Sequence, residues 1–156
     1  YIAAFCATYS DRFKAASVGA GVTNLFSFYG TADIPPFIES YFGAKPWEDR
    51  ELMAKHSAMY WMDRVNTPTL VQHGTEDRRV PIEQGEQLYT ALRARGVATE
   101  FFRYPRSEHG ITEPKLQRDA MMRNVEWFDY YVRGNQHAAV WHKGIAAEAQ
   151  AVAKED

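Results

Sequence analysis

The sequence predicts an α/β fold in three layers, α/β/α, with about three parallel strands and flanking helices. Two observations predict it. Short apolar or β-branched segments that end at glycine or proline are typical of buried strands. Between them lie longer segments in which apolar residues recur every three or four positions, the spacing of an amphipathic helix. Alternation of the two patterns indicates a parallel sheet, because parallel strands need crossover connections, which are usually helices.

The first half of the chain contains a helix, a strand and an aromatic-rich insert. Apolar residues at helical spacing over residues 1–9 predict a helix, and Ser10 breaks the pattern. The short apolar run Ala15–Val18 stands before closely spaced glycines and predicts a buried strand. Residues 25–61 are rich in aromatic side chains and are interrupted by glycine and proline. This composition indicates short helices and loops, with residues 51–62 helical.

The second half repeats a strand followed by a helix. Thr69–His73 predicts a strand, and a helix follows from Pro81 to a C-cap at Gly96. Thr99–Tyr104 predicts the next strand, before a long amphipathic helix that ends at Gly134. We expect residues 1–134 to form part of an α/β domain and residues 135–156 to form an Ala-rich tail that is helical or disordered. The last helix is predicted to bury Leu116, Met121, Val125, Phe128 and Val132.

Composition narrows the class of protein. The 156 residues carry 18 basic and 20 acidic side chains and a formal net charge of −2, so the basic surface typical of nucleic-acid binders is missing. No apolar stretch approaches the roughly 20 residues that a membrane-spanning helix needs. The single cysteine, Cys6, cannot form an internal disulfide and is expected to be a small buried residue. We therefore expect no nucleic-acid or membrane partner, and a cytoplasmic location.

Two loops after neighbouring strands carry the residues best suited to catalysis. Asp77 follows the strand Thr69–His73, and His109 follows the strand Thr99–Tyr104. Because the carboxyl ends of adjacent parallel strands meet at one edge of a sheet, we expect the two side chains to lie together. A carboxylate beside a histidine fixes the tautomer of the imidazole and stabilises its cation while the other ring nitrogen takes a proton from a nucleophile. Gly110 is expected to let the histidine loop fold tightly.

The order acid then histidine matches the last two members of an α/β-hydrolase triad, and three segments strengthen that match. The segments YIAAFCATYSDRFKAASVGAGVTN, TPTLVQHGTEDRRVPIEQGEQLYTALRARG and FFRYPRSEHGITEP resemble the catalytic domain of the prolyl oligopeptidase family, particularly its acylaminoacyl-peptidase and dipeptidyl-peptidase-like members. The resemblance covers residues 1 to about 134. It implies the carboxyl-terminal part of an α/β-hydrolase domain in a serine peptidase, which cleaves peptide or acyl-aminoacyl bonds through an acyl-enzyme. Asp77 and His109 would be its catalytic acid and base.

One element of that family's pattern is missing. No Gly-x-Ser-x-Gly segment occurs in the 156 residues. The resemblance therefore implies that the nucleophilic serine lies about four residues before Tyr1, and that the chain alone lacks activity. Ser107 is close to His109 in sequence, but a residue on the histidine's own loop is poorly placed to receive help from the ring.

The resemblance also implies two substrate-binding residues in the acid loop. Arg79 and Val80 belong to the family pattern Asp-x-Arg-Val. Arg79 would hold a carbonyl or carboxylate of the peptide, since a guanidinium donates two hydrogen bonds from a rigid plane. Val80 would line the pocket beside the scissile bond. The alternative for Arg79 is an exposed ion pair with Glu76 or Glu108.

The apolar side of the substrate pocket is predicted in the aromatic-rich insert. The family places aromatic rings there against the substrate side chain, and Phe37 and Tyr41 are the residues at that place in this sequence. The alternative is that both rings belong to the core, which is the more common location of aromatic residues at helical spacing.

Nothing in the sequence indicates a metal or a cofactor. The histidines show neither His-x-x-x-His spacing nor a nearby cysteine pair, which are typical of zinc sites. His73 ends a strand, and we expect it to hydrogen-bond locally. The glycines after Val18 do not form the Gly-x-Gly-x-x-Gly pattern of a dinucleotide site. We therefore predict no cofactor and no metal.

Two other functions fit the same sequence. Fold and triad do not determine the leaving group, so a carboxylesterase is one alternative to the peptidase, whose partner would be a peptide or acyl-peptide substrate. The other is a non-catalytic truncated remnant. If the 156 residues were the whole product, the strand Ala15–Val18 would leave an open sheet edge, and a homo-oligomer formed through that edge would be expected.

Overall fold

A parallel sheet of three strands forms the centre of the structure, and this confirms the fold class that the sequence predicts. The computed structural model describes residues 1–137, so residues 138–156 of the tail predicted at 135–156 lie outside the described residues. The strands lie in the order β1, β2, β3. They comprise Ala16–Gly19 (β1), Thr69–Gly74 (β2) and Thr99–Tyr104 (β3).

Helices join the strands and cover both faces of the sheet. Within residues 1–137, none of them combines the length and apolar character needed to cross a bilayer. Asn24 and Asp49 begin two of them by accepting hydrogen bonds from backbone N–H groups of the first turn. The α-helices comprise Ile2–Tyr9 (α1), Leu25–Thr31 (α2), Pro36–Phe42 (α3), Arg50–Lys55 (α4), Glu83–Ala94 (α5) and Pro114–Tyr131 (α6), and Ala58–Arg64 forms a 3-10 helix.

The helix predicted over residues 51–62 is divided in two. α4 ends at Lys55, and the 3-10 helix begins at Ala58 after an extended Ser57. The hydroxyl of Ser57 donates to the carbonyl of Met53 at 2.8 Å and accepts from the amide of Leu25 at 3.0 Å. The break therefore lets one buried side chain join this helical pair to the first turn of α2, a contact that periodicity cannot reveal.

One face of the sheet packs against an apolar layer. Val18 of β1 and Val71 of β2 are paired in register and fully buried. They contact buried residues of α1, the 3-10 helix and α5, including Ala4, Met62 and Leu88. Since burial of such side chains stabilises a fold by about 1.5–3 kcal/mol each, this layer fixes α5 against β2 and β3.

The aromatic-rich insert has a core of its own, which is attached to the acid loop. Val80 packs with four buried apolar residues of the insert, namely Leu25, Phe28, Ile38 and Met53. Gln84 of α5 reinforces the attachment, because its Oε1 accepts hydrogen bonds from the amides of Thr23 and Asn24, both at 3.0 Å. The insert and the loop that carries Asp77 are therefore one packed unit.

The other face of the sheet holds α6 through a buried polar network. Asn124 donates to the side chain of Gln72 at 3.0 Å and accepts from the hydroxyl of Ser17. Gln72 in turn donates to the hydroxyl of Tyr104 at 3.2 Å, and that hydroxyl donates to Asp119 at 3.1 Å. Burial raises the pKa of Tyr104 to about 12, so the phenol stays protonated as a donor. Side chains from all three strands thus take part in docking one helix.

The inward face predicted for α6 is wrong. The helix buries Ala120 and Trp127, and Asn124 lies between them on the same side. Leu116 is half-buried. The remaining residues predicted to point inward are between 38% and 68% exposed: Met121, Val125, Phe128 and Val132. The helix turns its polar network toward the sheet because Gln72 and Tyr104 would otherwise be buried without partners.

Replacing Asn124 by alanine should destabilise the fold by about 1–3 kcal/mol, because Gln72 and Ser17 each lose a buried hydrogen-bond partner. Val125→Ala, one residue further along α6, is the matched control and should cost less than about 0.5 kcal/mol, since Val125 is 60% exposed. Urea unfolding of both variants measures this. A larger loss for Val125→Ala would contradict the polar docking of α6.

Candidate active site

Asp77 and His109 meet at the carboxyl end of the sheet. Nδ1 of His109 lies 3.0 Å from Oδ2 of Asp77, although the residues are 32 positions apart in the chain. The Asp77 side chain is fully buried, whereas that of His109 is 52% exposed. With Nδ1 on the carboxylate, Nε2 is the ring nitrogen left for a reacting group. This is the arrangement of a base oriented by an acid.

Backbone contacts hold the two loops together. The amide of Thr75 donates to the carbonyl of Tyr104, and the amide of Glu76 donates to the carbonyl of Ser107, both at 2.9 Å. The end of β2 approaches the histidine loop so closely that a Cβ on Gly74 would lie less than 3.0 Å from the carbonyl oxygens of Ser107 and Glu108. A glycine at this position is therefore required for the two loops to touch.

The histidine loop contains a strained residue that is anchored to α6. Arg106 has a φ of 58°, in the left-handed region that costs a non-glycine residue roughly 1–2 kcal/mol. Its guanidinium forms two hydrogen bonds to the carboxylate of Glu113, at 2.8 and 2.9 Å. This contact lowers the pKa of Glu113. Glu113 precedes the first residue of α6, so the loop that presents His109 is fixed at both of its ends.

The acid loop is closed around Val80. The amide of Val80 donates to Oδ1 of Asp77 at 2.9 Å, and the carbonyl of Val80 accepts from Nε2 of His73 at 2.7 Å. His73 forms the local hydrogen bond that its place at the end of a strand predicts. Asp77 therefore uses one carboxylate oxygen to shape its own loop and the other to contact His109.

Arg79 lies beside His109 but pairs with the insert. Its Nε donates to Oδ1 of Asp33 at 2.8 Å, and the side chain is 50% exposed. This hydrogen bond raises the pKa of Arg79. The partner is Asp33 rather than the predicted alternatives Glu76 and Glu108, because the insert folds back over the acid loop, where the amide of Asp33 donates to the carbonyl of Arg78 at 3.0 Å.

The exposed side of His109 opens into a small polar cavity of about 270 Å³, which Arg79 also lines. A second cavity of about 630 Å³ lies along the acid loop on the side of Thr31 and Ile82. Four residues line both cavities: Asp33, Glu76, Arg78 and Glu108. The described part of the site thus presents mostly charged side chains.

The other predicted substrate-binding residues occupy different surroundings. Val80 is buried, and its side chain packs against the core of the insert. Phe37 and Tyr41 stack on each other at 5.6 Å between ring centroids, and Tyr41 is 74% exposed. Both rings lie on the insert, and they are not among the residues that line the two cavities. Their contact with a substrate stays a prediction.

The histidine loop also contains Ser107 and Gly110, whose roles were considered from the sequence. Ser107 is buried, and its hydroxyl approaches the carbonyl of Pro105 at 3.4 Å. Gly110 is not the residue that makes the loop compact, because a Cβ there would meet nothing within 4 Å. The close approach occurs at Gly74, on the opposite loop, where the sequence shows only an ordinary strand end.

Gly74→Ala should destabilise the protein by about 1–3 kcal/mol and separate the two loops, because backbone carbonyls cannot move aside cheaply. Gly110→Ala, in the facing loop, is the matched control and should change the free energy of unfolding by less than about 0.5 kcal/mol. Urea unfolding of the two variants checks this. Equal stability of both would show that the loops do not depend on the close approach at Gly74.

Solved structures share this architecture. The chain superposes on an acylaminoacyl peptidase from Pyrococcus horikoshii with a TM-score of 0.84 and 24% identity, covering 94% of this chain and 24% of that one. It also superposes on a puromycin hydrolase with a TM-score of 0.76 and 21% identity, covering 82% of this chain and 20% of that one. At these identities the likeness establishes the fold.

Curated relatives are closer in sequence. An uncharacterized peptidase, YuxL, from Bacillus subtilis is 34% identical over 127 residues, which cover 79% of this chain and 19% of the relative. The acylamino-acid-releasing enzyme of Mus musculus is 34% identical over 129 residues, which cover 76% of this chain and 17% of the relative. The chain thus spans less than a fifth of the length of these proteins. Residues 1–135 match the model of the prolyl oligopeptidase family, and the chain belongs to that family.

Proposed function

We propose that this chain supplies the catalytic acid and base of a serine peptidase that releases N-acylated residues from peptides. The observation that carries the proposal is the 3.0 Å contact between His109 and the buried carboxylate of Asp77. The acylamino-acid-releasing activity named for the mouse relative supports the substrate class. Family membership supports a hydrolase that forms an acyl-enzyme.

His109 is the group that moves the proton. Its Nε2 takes the proton from the serine hydroxyl as the oxygen attacks the substrate carbonyl, and the resulting imidazolium returns that proton to the leaving amine. Asp77 keeps Nδ1 protonated and stabilises the cation through the hydrogen bond between them. A water molecule then hydrolyses the acyl-enzyme by the same route, again with His109 as the base.

The nucleophile comes from outside these 156 residues, which contain no Gly-x-Ser-x-Gly segment. Ser107 is an unsuitable substitute because it is buried and faces a carbonyl of its own loop. A nucleophile must reach both the base and the substrate. Without that serine, the chain alone should not form an acyl-enzyme.

Arg79 is the group best placed to hold the peptide. It lines the same cavity as His109, and its guanidinium has donors beyond the Nε–H that Asp33 accepts. Since Asp33 already neutralises the charge, a neutral carbonyl suits this site better than a carboxylate, which Asp33 would repel. An acylated amino terminus carries such a carbonyl.

His109→Ala and Asp77→Asn, in the protein with its natural upstream sequence, should each lower kcat/KM for an acetyl-aminoacyl anilide by about 10⁴-fold or more. The first variant removes the base, and the second holds the imidazole in the wrong tautomer. Anilide release measures both. His137→Ala, an exposed histidine outside the site, is the control and should stay within roughly twofold of the wild type.

Turnover retained by His109→Ala would refute the proposal. Matched ester and amide substrates with the same acyl group distinguish a peptidase from a carboxylesterase. If the wild type hydrolyses only the ester, and His109→Ala abolishes that hydrolysis, the protein is a carboxylesterase.

Ser107→Ala should leave kcat/KM within roughly twofold of the wild type, because that hydroxyl takes no part in the reaction. A serine-reactive fluorophosphonate probe gives a second measurement. The 156-residue chain alone should remain unlabelled, whereas the protein with its upstream sequence should label at one serine. Labelling of the isolated chain that disappears in Ser107→Ala would identify Ser107 as the nucleophile and overturn this assignment.

A further inference from the structure

His73 is a buried titratable residue that the proposed mechanism does not use. It lies at the next-to-last position of β2, and its side chain has no exposed surface. Polar groups buried this completely are normally hydrogen-bonded at every atom. The ring occupies the space between β2 and α5, where Gly85 approaches it so closely that a Cβ would lie 2.9 Å from Nδ1. A fully buried imidazole therefore lies four residues before the proposed catalytic acid, Asp77.

The contacts of His73 lead directly to Asp77. Nε2 lies 2.7 Å from the carbonyl oxygen of Val80, and the amide of Val80 lies 2.9 Å from Oδ1 of Asp77. Both backbone groups of Val80 are thereby used, one by each side chain, so the turn from Asp77 to Val80 is fixed from two directions. Nε2 also lies 3.4 Å from Oδ2 of Asp77, the oxygen that contacts His109.

The same contacts indicate which ring nitrogen of His73 carries a hydrogen. A carbonyl oxygen can only accept, so Nε2 must carry the hydrogen that points at Val80. Nδ1 is buried and has no hydrogen-bond partner among residues 1–137. A hydrogen on Nδ1 would be a buried donor without an acceptor, which is costly, whereas an unprotonated nitrogen is the cheaper state. The geometry therefore favours a hydrogen on Nε2 over one on Nδ1.

We infer that His73 is a positioning residue for Asp77: its Nε2–H holds the carbonyl of Val80, and through it the acid loop, in the geometry that places the carboxylate on His109. This inference rests on the proposed function. It assigns His73 no contact with substrate. It is consistent with the glycine at position 85 of α5, since a side chain there would displace the ring of His73 or that of Phe101.

Two substitutions separate the donor from the bulk of the ring. His73→Gln can place an amide N–H near the position of Nε2, whereas His73→Leu fills the space without a donor. With an acetyl-aminoacyl anilide, we expect His73→Leu to lower kcat by roughly 10- to 100-fold with a much smaller change in KM, because the carboxylate of Asp77 moves off His109 while Arg79 stays bound to Asp33 of the insert. His73→Gln should recover most of the loss. A merely structural role would lower the melting temperature without this selective effect on kcat and its recovery.

A second variant tests the same contact from the other side. Gly85→Ala adds one methyl group, whose Cβ would lie 2.9 Å from Nδ1 of His73 and 3.1 Å from Cζ of Phe101, and alanine favours the helix more than glycine does. It should lower kcat through displacement of the ring even if His73→Leu fails to fold. Gly30→Ala, a helical glycine with nothing within 4 Å of its Cβ position, is the control and should leave kcat unchanged.

The outcomes distinguish this inference from the proposed function. If His109→Ala retains turnover, the proposed function fails. If His109→Ala abolishes turnover while His73→Leu and Gly85→Ala keep kcat within roughly twofold of the wild type, the role of His73 fails alone. Equal losses in His73→Gln and His73→Leu would likewise overturn the role of the Nε2–H. Recovery by glutamine together with a loss in Gly85→Ala would support it.

Discussion

The site depends on the two hydrogen bonds of the buried Asp77 carboxylate. One of its oxygens accepts from the amide of Val80, and the other contacts His109, so a single side chain shapes its own loop and joins it to the next. A carboxylate can do this because its two oxygens offer several acceptor positions. The parallel pairing of β2 and β3 makes the contact possible, since it brings both loops to the same edge of the sheet.

The two faces of the sheet are covered in different ways: apolar contacts hold α5, whereas hydrogen bonds hold α6. The α5 side is mainly apolar, so the shape and volume of the side chains determine the packing there. The α6 side is a hydrogen-bonded network that includes Gln72 and Asn124, so the directions of the hydrogen bonds determine how the helix packs there. A directional contact allows little rotation of the helix. Since Glu113 at the start of α6 holds Arg106 of the histidine loop, the orientation of α6 is transmitted to the site.

Sequence reasoning succeeded where burial alone determines the pattern. Alternating strands and helices predicted the parallel sheet, and the sheet topology then predicted that Asp77 and His109 would lie together. The prediction for α6 failed because an amphipathic pattern reports where apolar residues lie and assumes that they face the sheet. Here the polar side chains of the strands, above all Gln72, required partners from the helix. The partner of Arg79 was also missed, because Asp33 reaches it from an insert whose fold the sequence does not specify.

The contacts that join the Asp77 loop to the His109 loop lie within residues 73–113. They include the closure of the acid loop at Val80, the close approach at Gly74 and the bidentate bond of Arg106 to Glu113. This part of the chain therefore organises the pair by itself. If His109 is the base, as proposed, such preorganisation costs little energy of rearrangement during the reaction. The insert contributes Asp33, which binds Arg79, the proposed substrate-binding residue, and Val80 packs that insert against the loop that carries Asp77.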